Sequence, residues 1–416
     1  MHAAIRALAV SLVAVACVDR GEVLTPLGPD AGAAATGGTA GGGGEPGEPN
    51  NAVIASVALG MSHSVAVSSG RLYAWGLNDA GELGLGDTTN REVPTELTSS
   101  VSFVSVTAGG DYTCALDDGG AVYCFGANDR GQLGQGDREE RHVPTRVALP
   151  VAARAVSNNF EHVCAVLADA TLYCWGQNFE GELGQDDSPP GANQDDTADD
   201  ILTPIQVPGN DWSYVSAGDG ATCGIRLDGT LWCWGRNTGG QLGGASTQIQ
   251  VRRPLQVGAD TDWLRVESGQ QFSFALKQDH SLWCWGTNVA RDANGDGFPL
   301  GIDVDELDAP TRLGAANDWV SVAVRVFHTC AVNRESELWC WGRNIEGQLG
   351  TGDLNVRETP TRVATGTAEV AVTWFTTCER SNAGHVLCTG ANESGEIGDG
   401  TTDRPLLFTD VTPPAP

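Results

Sequence analysis

WGLNDAGELGLG, residues 75–86, is the first of seven related stretches whose repetition decides the fold. The others are FGANDRGQLGQG at 125–136, WGQNFEGELG at 175–184, WGRNTGGQLG at 234–243, WGTN at 285–288, WGRNIEGQLGTG at 341–352 and TGANESGEIGDG at 389–400. The second residue of every copy is glycine, and these glycines are spaced by 50, 50, 59, 51, 56 and 48 residues. Repeats of about 50 residues are typical of propeller blades, so the sequence predicts a seven-bladed β-propeller.

Each repeat has the pattern of four short strands. In the second repeat, residues 101–107 alternate in polarity like a strand, and residues 113–124 form a hairpin pattern with glycine at the turn. The motif then supplies a turn, and a short segment containing proline supplies an outer strand. Proline suits the start of an edge strand because it cannot donate to a ladder. The prolines are Pro94, Pro144, Pro204, Pro254, Pro310, Pro360 and Pro405. We therefore predict an all-β fold of four-stranded antiparallel blades, closed into a ring that protects the sheet edges.

The residues of the motif have structural reasons for being there. Glycine permits positive φ in tight turns, and asparagine can hydrogen bond to backbone in such turns. The motif tryptophan, which occurs in five of the seven repeats, and the motif leucine are apolar and recur at fixed positions, so we expect them to pack between blades. None of them is expected to be catalytic.

At these residues the chain resembles the regulator-of-chromosome-condensation repeat family, over roughly residues 52–412. The founding member of that family is a nuclear exchange factor for a small GTPase, and its relatives include a plant ultraviolet photoreceptor and secreted bacterial inhibitors of β-lactamases. The resemblance therefore implies the fold, whereas it leaves the function open.

Ten of the twelve cysteines form pairs that are ten residues apart. Each pair flanks one hairpin symmetrically, which places its two cysteines opposite each other on adjacent strands. The pairs are Cys114 with Cys124, Cys164 with Cys174, Cys223 with Cys233, Cys330 with Cys340, and Cys378 with Cys388. We predict five disulfides within blades; the alternatives are ten buried thiols or zinc ligands. The first repeat lacks both members of the pair, and the fifth keeps Cys284 opposite Phe274, so Cys284 is expected to stay a thiol.

The N-terminal segment resembles an export signal. Residues 1–17 carry a weakly basic start and an apolar stretch too short to span a bilayer, and they end in Ala-Val-Ala-Cys17. This end resembles the bacterial lipobox and predicts lipidation of Cys17, with a plain secretory signal as the alternative. Residues 18–51 are rich in Gly, Ala and Pro, which predicts a disordered tether or a leader without a tethering role. Residues 52–412 form the predicted propeller, and 413–416 are a tail.

Function is expected where the repeats differ, in the loops on the faces of the ring. In the loop before each hairpin, repeats one, six and seven carry Met61, Val326, Phe327, Trp374 and Phe375, and repeat three carries Phe160. Repeats six, seven and one are neighbours in a closed ring, so we predict an apolar, aromatic partner-binding face there. The alternative is that these side chains fold inward over the central channel.

Histidine follows in the same loops at three places, His63, His162 and His328. In the exchange factor of the family, residues of this face help to engage the GTPase. The resemblance therefore gives these histidines a binding role as one interpretation, and packing of the turn is the other.

An insertion in the fifth repeat resembles a calcium-binding loop. Asp292, Asn294, Asp296 and Asp303 stand at loop positions 1, 3, 5 and 12, with glycine at position 6. Such oxygen ligands are typical of EF-hand or dockerin loops, although Asp replaces the usual final Glu. The alternative is a solvated acidic turn.

The charge balance excludes one class of partner. Lys+Arg amount to 24 against 53 Asp+Glu, a formal charge of −29, which repels nucleic acid. The sequence contains no P-loop and no H-E-x-x-H, so we expect no enzymatic activity. We predict a non-enzymatic scaffold that binds a protein, or a glycan, at the bacterial envelope or cell surface, held to the membrane only by a lipid anchor. The alternatives are a secreted inhibitor of an extracellular enzyme and an exchange factor, as the family resemblance implies.

Overall fold

The computed structural model describes residues 54–185, 199–244, 246–288, 299–302 and 304–414. These residues form seven four-stranded antiparallel sheets, in which the strands are adjacent in the order of the chain. The inner strands of successive blades contact each other around a central channel, and the inner strand of the seventh blade contacts that of the first. The prediction of a seven-bladed, all-β propeller is therefore confirmed.

Each blade contributes one inner strand, two middle strands and one outer strand. The inner strands are β1 (Ile54–Leu59), β5 (Phe103–Ala108), β9 (Ala153–Asn158), β13 (Trp212–Ala217), β17 (Trp263–Ser268), β21 (Trp319–Val324) and β25 (Thr367–Val372). The second strands are β2 (His63–Ser68), β6 (Tyr112–Asp117), β10 (His162–Leu167), β14 (Ala221–Arg226), β18 (Phe272–Lys277), β22 (His328–Asn333) and β26 (Thr376–Ser381). The third strands are β3 (Arg71–Gly76), β7 (Val122–Gly126), β11 (Leu172–Gly176), β15 (Leu231–Arg236), β19 (Leu282–Thr287), β23 (Glu337–Gly342) and β27 (Val386–Gly390). The outer strands are β4 (Arg91–Glu96), β8 (Arg141–Arg146), β12 (Ile201–Gln206), β16 (Gln250–Gln256), β20 (Glu306–Arg312), β24 (Arg357–Thr365) and β28 (Thr409–Asp410).

The recurring tryptophan joins neighbouring blades. Its side chain is fully buried, and its indole N–H donates to a motif carbonyl of the preceding blade. Trp175 bonds the Gln132 carbonyl at 2.9 Å, and Trp234 bonds the Glu182 carbonyl at 2.8 Å. The tryptophans therefore join blades through hydrogen bonds as well as through the apolar packing that the sequence predicts.

The motif asparagine organises the loop between the third and outer strands. The Asn78 amide donates to the Asp87 and Thr89 carbonyls at 3.0 and 3.1 Å, and its oxygen accepts from the Leu83 N–H at 3.0 Å. The equivalent bond to the leucine N–H recurs at Asn128, Asn178, Asn237, Asn344 and, with isoleucine as donor, Asn392. One asparagine thus satisfies the backbone of an entire loop in each of these blades.

The outer prolines lie elsewhere than predicted. Pro94 is the fourth residue of β4, not its start, and it lies where the register to β3 shifts between the pairs Ala74–Thr95 and Gly76–Arg91. The same shift surrounds the proline of the next five outer strands. A bulge leaves residues outside the ladder, so it accommodates a residue that has no N–H to donate.

The five predicted cysteine pairs lie within disulfide-bonding distance. Each pair is directly opposite in the register of the second and third strands, with Cα atoms 4.1–4.2 Å apart. Val65 and Ala74 occupy the same register in the first blade, and Phe274 lies opposite Cys284 in the fifth. Cysteine pairs in this arrangement are typical of an oxidising compartment.

Within the described ranges, no helix is long and apolar enough to cross a membrane. The predicted signal at 1–17 and the tether at 18–51 lie outside those ranges, and so do Cys17 and the predicted calcium ligands Asp292, Asn294, Asp296 and Asp303.

Candidate functional site

Seven short loops surround one end of the central channel. They join each inner strand to the second strand, and because neighbouring strands are antiparallel they all emerge at the same end of the ring, here called the mouth face. These mouth loops comprise residues 60–62, 109–111, 159–161, 218–220, 269–271, 325–327 and 373–375.

Backbone hydrogen bonds join the mouth loops of successive blades. The Met61 N–H donates to the Gly110 carbonyl at 3.0 Å, and the Gly110 N–H donates to the Phe160 carbonyl at 3.1 Å. On the other side of the mouth, the Gln270 N–H donates to the Arg325 carbonyl at 3.1 Å. These bonds link the mouth loops of blades one to three into one group and those of blades five and six into another.

The first residue of a mouth loop is glycine in four blades because there is no room for a side chain. At Gly109, a Cβ would lie 2.1 Å from the Tyr112 ring and 2.3 Å from the Asn159 carbonyl oxygen. The remaining blades place Asn159, Arg325 and Thr373 at this position. At these three positions the mouth loops carry side chains where the other four blades have glycine.

Arg325 spans the mouth of the channel. Its guanidinium bonds the Asn159 side chain in the third blade and donates to the Ala108 carbonyl in the second blade at 2.9 Å. Burial lowers the pKa of Arg325. Neither Arg325 nor Asn159 is predicted from the sequence, although their departure from the glycine column is a signal that could have identified them.

Four aromatic side chains form a cluster over the mouth, here called the aromatic cluster: Phe160, Phe327, Trp374 and Phe375. Phe327 stacks on Phe375 with ring centroids 5.3 Å apart, and Trp374 packs against both. Trp374 also stacks on Phe160 at 6.4 Å with an interplanar angle of 13°. All four side chains are half-buried, so part of each ring stays accessible.

The structure brings most of the predicted partner-binding residues together. Phe327, Trp374 and Phe375 are neighbours, as expected for the sixth and seventh blades, and Met61 lines the same small pocket as Trp374. Phe160 reaches this group from the third blade, so the cluster extends over the channel. This arrangement corresponds to the alternative prediction that these side chains fold inward over the central channel. Val326 is only 6% exposed and supports the loop from within.

Carboxylates also lie on the mouth face, in the first three blades. Asp79, Asp111 and Asp129 are exposed and Glu161 is half-buried, and these four residues are here called the acidic arc. Desolvation by the surrounding loops raises the pKa of Asp111, and the charges of Asp129 and Asp79 raise it further. Burial raises the pKa of Glu161 to about 7, although Arg130 lies 3.6 Å away. The mouth face therefore carries acidic side chains as well as the aromatic cluster.

The three histidines of the mouth loops are structural. The Nε2 atom of His63 lies 2.9 Å from the Thr113 hydroxyl, which donates its own proton to the Glu82 carbonyl at 2.9 Å. A hydroxyl has one proton, so Nε2 of His63 must be the donor to it. Equivalent contacts join His162 to Thr222 and His328 to Thr377 in the next blades.

Burial lowers the pKa of each of these histidines to about 3. They are therefore neutral hydrogen-bond donors between blades, and the packing interpretation is the one that the geometry supports. Across the described ranges, no group of three or more His, Cys, Asp or Glu residues is placed to hold a metal ion.

Comparison with known proteins establishes the family. The model of the regulator of chromosome condensation (RCC1) repeat matches residues 69–116, 119–166, 169–225, 228–276 and 335–376. A second RCC1 repeat model matches residues 103–132, 154–182, 212–241 and 319–348. These matches cover more than half of the chain, so the protein belongs to the RCC1 repeat family.

Relatives in this family have diverse roles. The human E3 ubiquitin-protein ligase HERC2 is 30% identical over 152 residues, which are 36% of this chain and 3% of that protein. The ultraviolet-B receptor UVR8 of Arabidopsis thaliana is 28% identical over 315 residues, which are 74% of this chain and 57% of the receptor. The chain thus spans less than two thirds of the length of these relatives.

Solved structures show the same fold. Yeast RCC1 (Prp20), in its complex with Kap60, has a TM-score of 0.69 at 20% identity, covering 87% of this chain and 84% of that one. Human WBSCR16 has a TM-score of 0.65 at 20% identity, covering 78% and 85%.

Proposed function

We propose that the protein is a non-enzymatic scaffold that binds another protein through its mouth face. The observation that carries the proposal is the aromatic cluster, which gathers Phe160, Phe327, Trp374 and Phe375 from three blades onto one accessible surface. Aromatic side chains dominate the binding energy of protein interfaces because they bury a large area with little loss of side-chain entropy.

Relatives support a binding role. One solved structure is that of yeast RCC1 bound to Kap60, and another is described with the binding properties of Prp20p to Gsp1p and histones. The hydrogen bonds between neighbouring mouth loops add to this support, because a preordered surface loses little entropy when it binds.

The proposed location is the outside of the cytoplasmic membrane of a bacterium, with the chain anchored through lipidated Cys17. The five cysteine pairs at disulfide distance support an oxidising compartment. Incorporation of a palmitate analogue that is abolished by Cys17→Ser tests the anchor, and labelling that persists in the variant would contradict it.

Calcium binding at Asp292, Asn294, Asp296 and Asp303 stays a prediction. Calorimetric titration of the protein with calcium, compared with the Asp292→Ala/Asp296→Ala variant, tests it. Equal heats for the two proteins would contradict a site in this loop.

The binding surface is tested by the Trp374→Ala/Phe375→Ala variant. Loss of a central aromatic anchor costs about 2 kcal/mol or more, which is a roughly thirtyfold loss of affinity for a captured partner. The measurement is quantitative capture from envelope extracts, followed by titration of the captured protein.

The matched control is Val151→Ala/Leu227→Ala, which removes two exposed apolar side chains from loops at the opposite end of the ring. Equal capture by the wild type and the aromatic variant would reject the site. Capture that survives protease treatment of the extract would identify a glycan and contradict a protein partner.

A further inference from the structure

We infer that the pocket at the mouth of the channel binds a carboxylate of the partner, carried by an Asp or Glu side chain. The pocket is lined by Asn159, Arg325 and Thr373, with Trp374 beside them. This inference rests on the proposed function and adds the chemistry by which the partner is recognised. The partner is expected to place one acidic side chain among the apolar ones that contact the aromatic cluster.

The three departures from glycine at the first position of the mouth loops meet in this pocket. Asn159 comes from the third blade, Arg325 from the sixth and Thr373 from the seventh, and all three line the same cavity. The other four blades have glycine at this position. The polar side chains that the repeat pattern omits elsewhere are therefore gathered at one place on the axis of the ring.

The uncommitted polar groups of Asn159 and Thr373 are hydrogen-bond donors. The Thr373 hydroxyl accepts the Phe375 and Thr376 N–H groups at 3.2 and 3.3 Å, and it donates its own proton to none of the described residues. The Asn159 oxygen accepts from Arg325, and the Asn159 amide N–H groups likewise donate to no described residue. Asn159 is 7% exposed and Thr373 is 4% exposed. Buried donors without an acceptor favour a ligand that supplies acceptor atoms.

Arg325 adds a positive charge that no carboxylate of the described ranges neutralises. Its guanidinium bonds two neutral oxygens, those of the Asn159 side chain and the Ala108 carbonyl, and forms no ion pair within these ranges. By contrast, Arg236 at the same end of the ring lies 3.0 Å from the Glu180 carboxylate. A guanidinium stays charged and has no acceptor atoms, so an anion is the ligand that satisfies it.

The carboxylates whose charges act on Arg325 are engaged elsewhere. These are Glu267 and Asp219. Glu267 accepts the Tyr214 hydroxyl at 2.7 Å, and Asp219 accepts the Gln270 amide at 2.7 Å. The charge of Arg325 therefore remains available to a carboxylate that enters from outside.

The donor set of the pocket fits a carboxylate better than a phosphate. One guanidinium, one amide and one hydroxyl match the two oxygens and the single charge of a carboxylate. A phosphate monoester carries about two negative charges at neutral pH and would leave one of them uncompensated.

The surroundings of the pocket favour a side chain within a segment over a chain terminus. Phe160 lines the pocket from the third blade and Trp374 from the seventh, and both rings are half-buried. Residues before and after the inserted acid can therefore both contact the aromatic cluster, whereas a terminal residue has a neighbour on one side only.

The overall charge of the protein acts against an acidic partner only at long range. The acidic arc lies on the same face, and the formal charge is −29. Exposed charges are screened over about 8 Å at physiological ionic strength, whereas a charge-assisted hydrogen bond inside a pocket is screened much less. The long-range repulsion therefore lowers the association rate, and the contacts in the pocket determine the affinity.

The test measures binding of four short fluorescent peptides to the full-length protein. Three have both termini blocked and carry a central Glu, Gln or Lys between leucines, and the fourth carries a central Gln and a free C-terminal carboxylate. We expect the Glu peptide to bind the wild type at least about tenfold more tightly than each of the other three.

The matching variant is Asn159→Asp, which gives Arg325 a carboxylate from within the protein and keeps the size of the side chain. It should unfold at the same temperature as the wild type or higher, because an ion pair replaces a neutral hydrogen bond. It should bind the Glu peptide at least about tenfold more weakly than the wild type.

The control variant is Asn317→Asp, which makes the same change at an exposed asparagine that accepts from Arg312 at the opposite end of the ring. It is expected to bind the Glu peptide like the wild type. The inference is overturned if the Glu peptide does not bind, if the Gln peptide binds the wild type equally well, or if Asn159→Asp binds the Glu peptide like the wild type. Tighter binding of the free-terminus peptide would assign the pocket to a chain terminus and overturn the side-chain assignment.

Failure of this inference is distinguishable from failure of the proposed function. If Asn159→Asp captures the envelope partner normally while Trp374→Ala/Phe375→Ala does not, the mouth face binds its partner without a carboxylate in the pocket, and only the inference is overturned. If both variants capture it normally, the mouth face itself is excluded.

Discussion

At the scale of single residues, the blades differ at one buried position of the motif, which carries glutamate in some blades and glutamine in others. The side chains at this position accept a backbone N–H two residues earlier, for example Glu180 N–H to Glu182 at 2.7 Å and Gly239 N–H to Gln241 at 2.8 Å. Glutamate occurs at positions 82, 182 and 396, and glutamine at 132, 241 and 348. Burial raises the pKa of Glu182 to about 8, so the protonated acid is favoured and resembles the amide.

We predict that Glu182→Gln stabilises the protein at high pH. The pKa of Glu182 is about 8 in the folded chain and about 4.5 in the unfolded chain, so the folded state binds the proton more tightly. The contribution of Glu182 to the free energy of unfolding is therefore greatest below about pH 4.5 and falls as the pH rises towards 8. The variant does not incur this loss, so denaturant unfolding should show a gain of about 1–3 kcal/mol near pH 8.5 and little change near pH 4.5.

The reverse substitution, Gln241→Glu, serves as the control and should destabilise the protein near pH 8.5 only. The same change in unfolding free energy at both pH values would show that Glu182 acts through packing rather than through titration.

At the scale of the strand pair, register alone determines which cysteines meet. At this register the second and third strands pair residues ten apart in six blades and nine apart in the first, and five blades place cysteine at both positions. In the first blade the same positions carry Val65 and Ala74, both fully buried. The strand pair of the first blade therefore has the register for a disulfide but lacks the two cysteines.

We predict that Val65→Cys/Ala74→Cys forms a sixth disulfide. Closing a loop of this length removes unfolded-state entropy worth about 2–3 kcal/mol. Thermal unfolding with and without reductant measures the gain, which should disappear when the bond is reduced.

The single variant Val65→Cys is the control, because it changes the packing without closing a loop. A double variant that stays as two thiols under oxidising conditions would contradict the assigned register.

At the scale of the whole molecule, the ring closes without exchanging a strand. The first blade consists of β1–β4 and the seventh of β25–β28, so no sheet combines the two ends of the described chain. Side chains contribute to the seam between them: the Ser64 hydroxyl and the Trp75 indole donate to the Glu396 carbonyl at 2.6 and 3.0 Å, and the Gly400 N–H adds a backbone bond to the Glu92 carbonyl at 2.8 Å. Ser273 and Trp285 bond the Gln241 carbonyl in the same way at an internal seam.

We predict that equivalent substitutions at the two seams have different effects on local opening of the blades. Ser64→Ala/Trp75→Phe and Ser273→Ala/Trp285→Phe each leave a buried carbonyl unsatisfied, so each should lower the free energy of unfolding by about 1–3 kcal/mol. Only the closing seam lacks a chain connection between its blades. Native-state hydrogen exchange should therefore accelerate in the first and seventh blades of the Ser64→Ala/Trp75→Phe variant without global unfolding.

The internal-seam variant is the control, since it loses the equivalent serine and tryptophan bonds to one carbonyl; Trp75 additionally contacts the Ile397 carbonyl at 3.0 Å. Equal protection of the terminal blades in both variants would show that the closing seam does not open locally.

The sequence by itself determined the blade count, the strand pattern and the cysteine register. Each follows from local repetition, because the glycine and asparagine represented by Gly76 and Asn78 recur in every copy and the paired cysteines mark the same strand pair in five copies. The sequence also identified Phe327, Trp374 and Phe375, since the sixth and seventh repeats are neighbours in any closed ring. It placed Pro94 wrongly, because a bulge is a property of the paired strands and not of one strand.

Only the tertiary structure decided what lies across the ring. The stacking of Phe160 on Trp374 and the span of Arg325 from the sixth blade to the second and third join residues from separate repeats. The neutrality of His63 and the raised pKa of Glu182 likewise depend on burial between blades. A repeat pattern predicts contacts within one blade and with the next blade. Ring closure also brings together residues of blades that are far apart in the sequence, and no local pattern predicts those contacts.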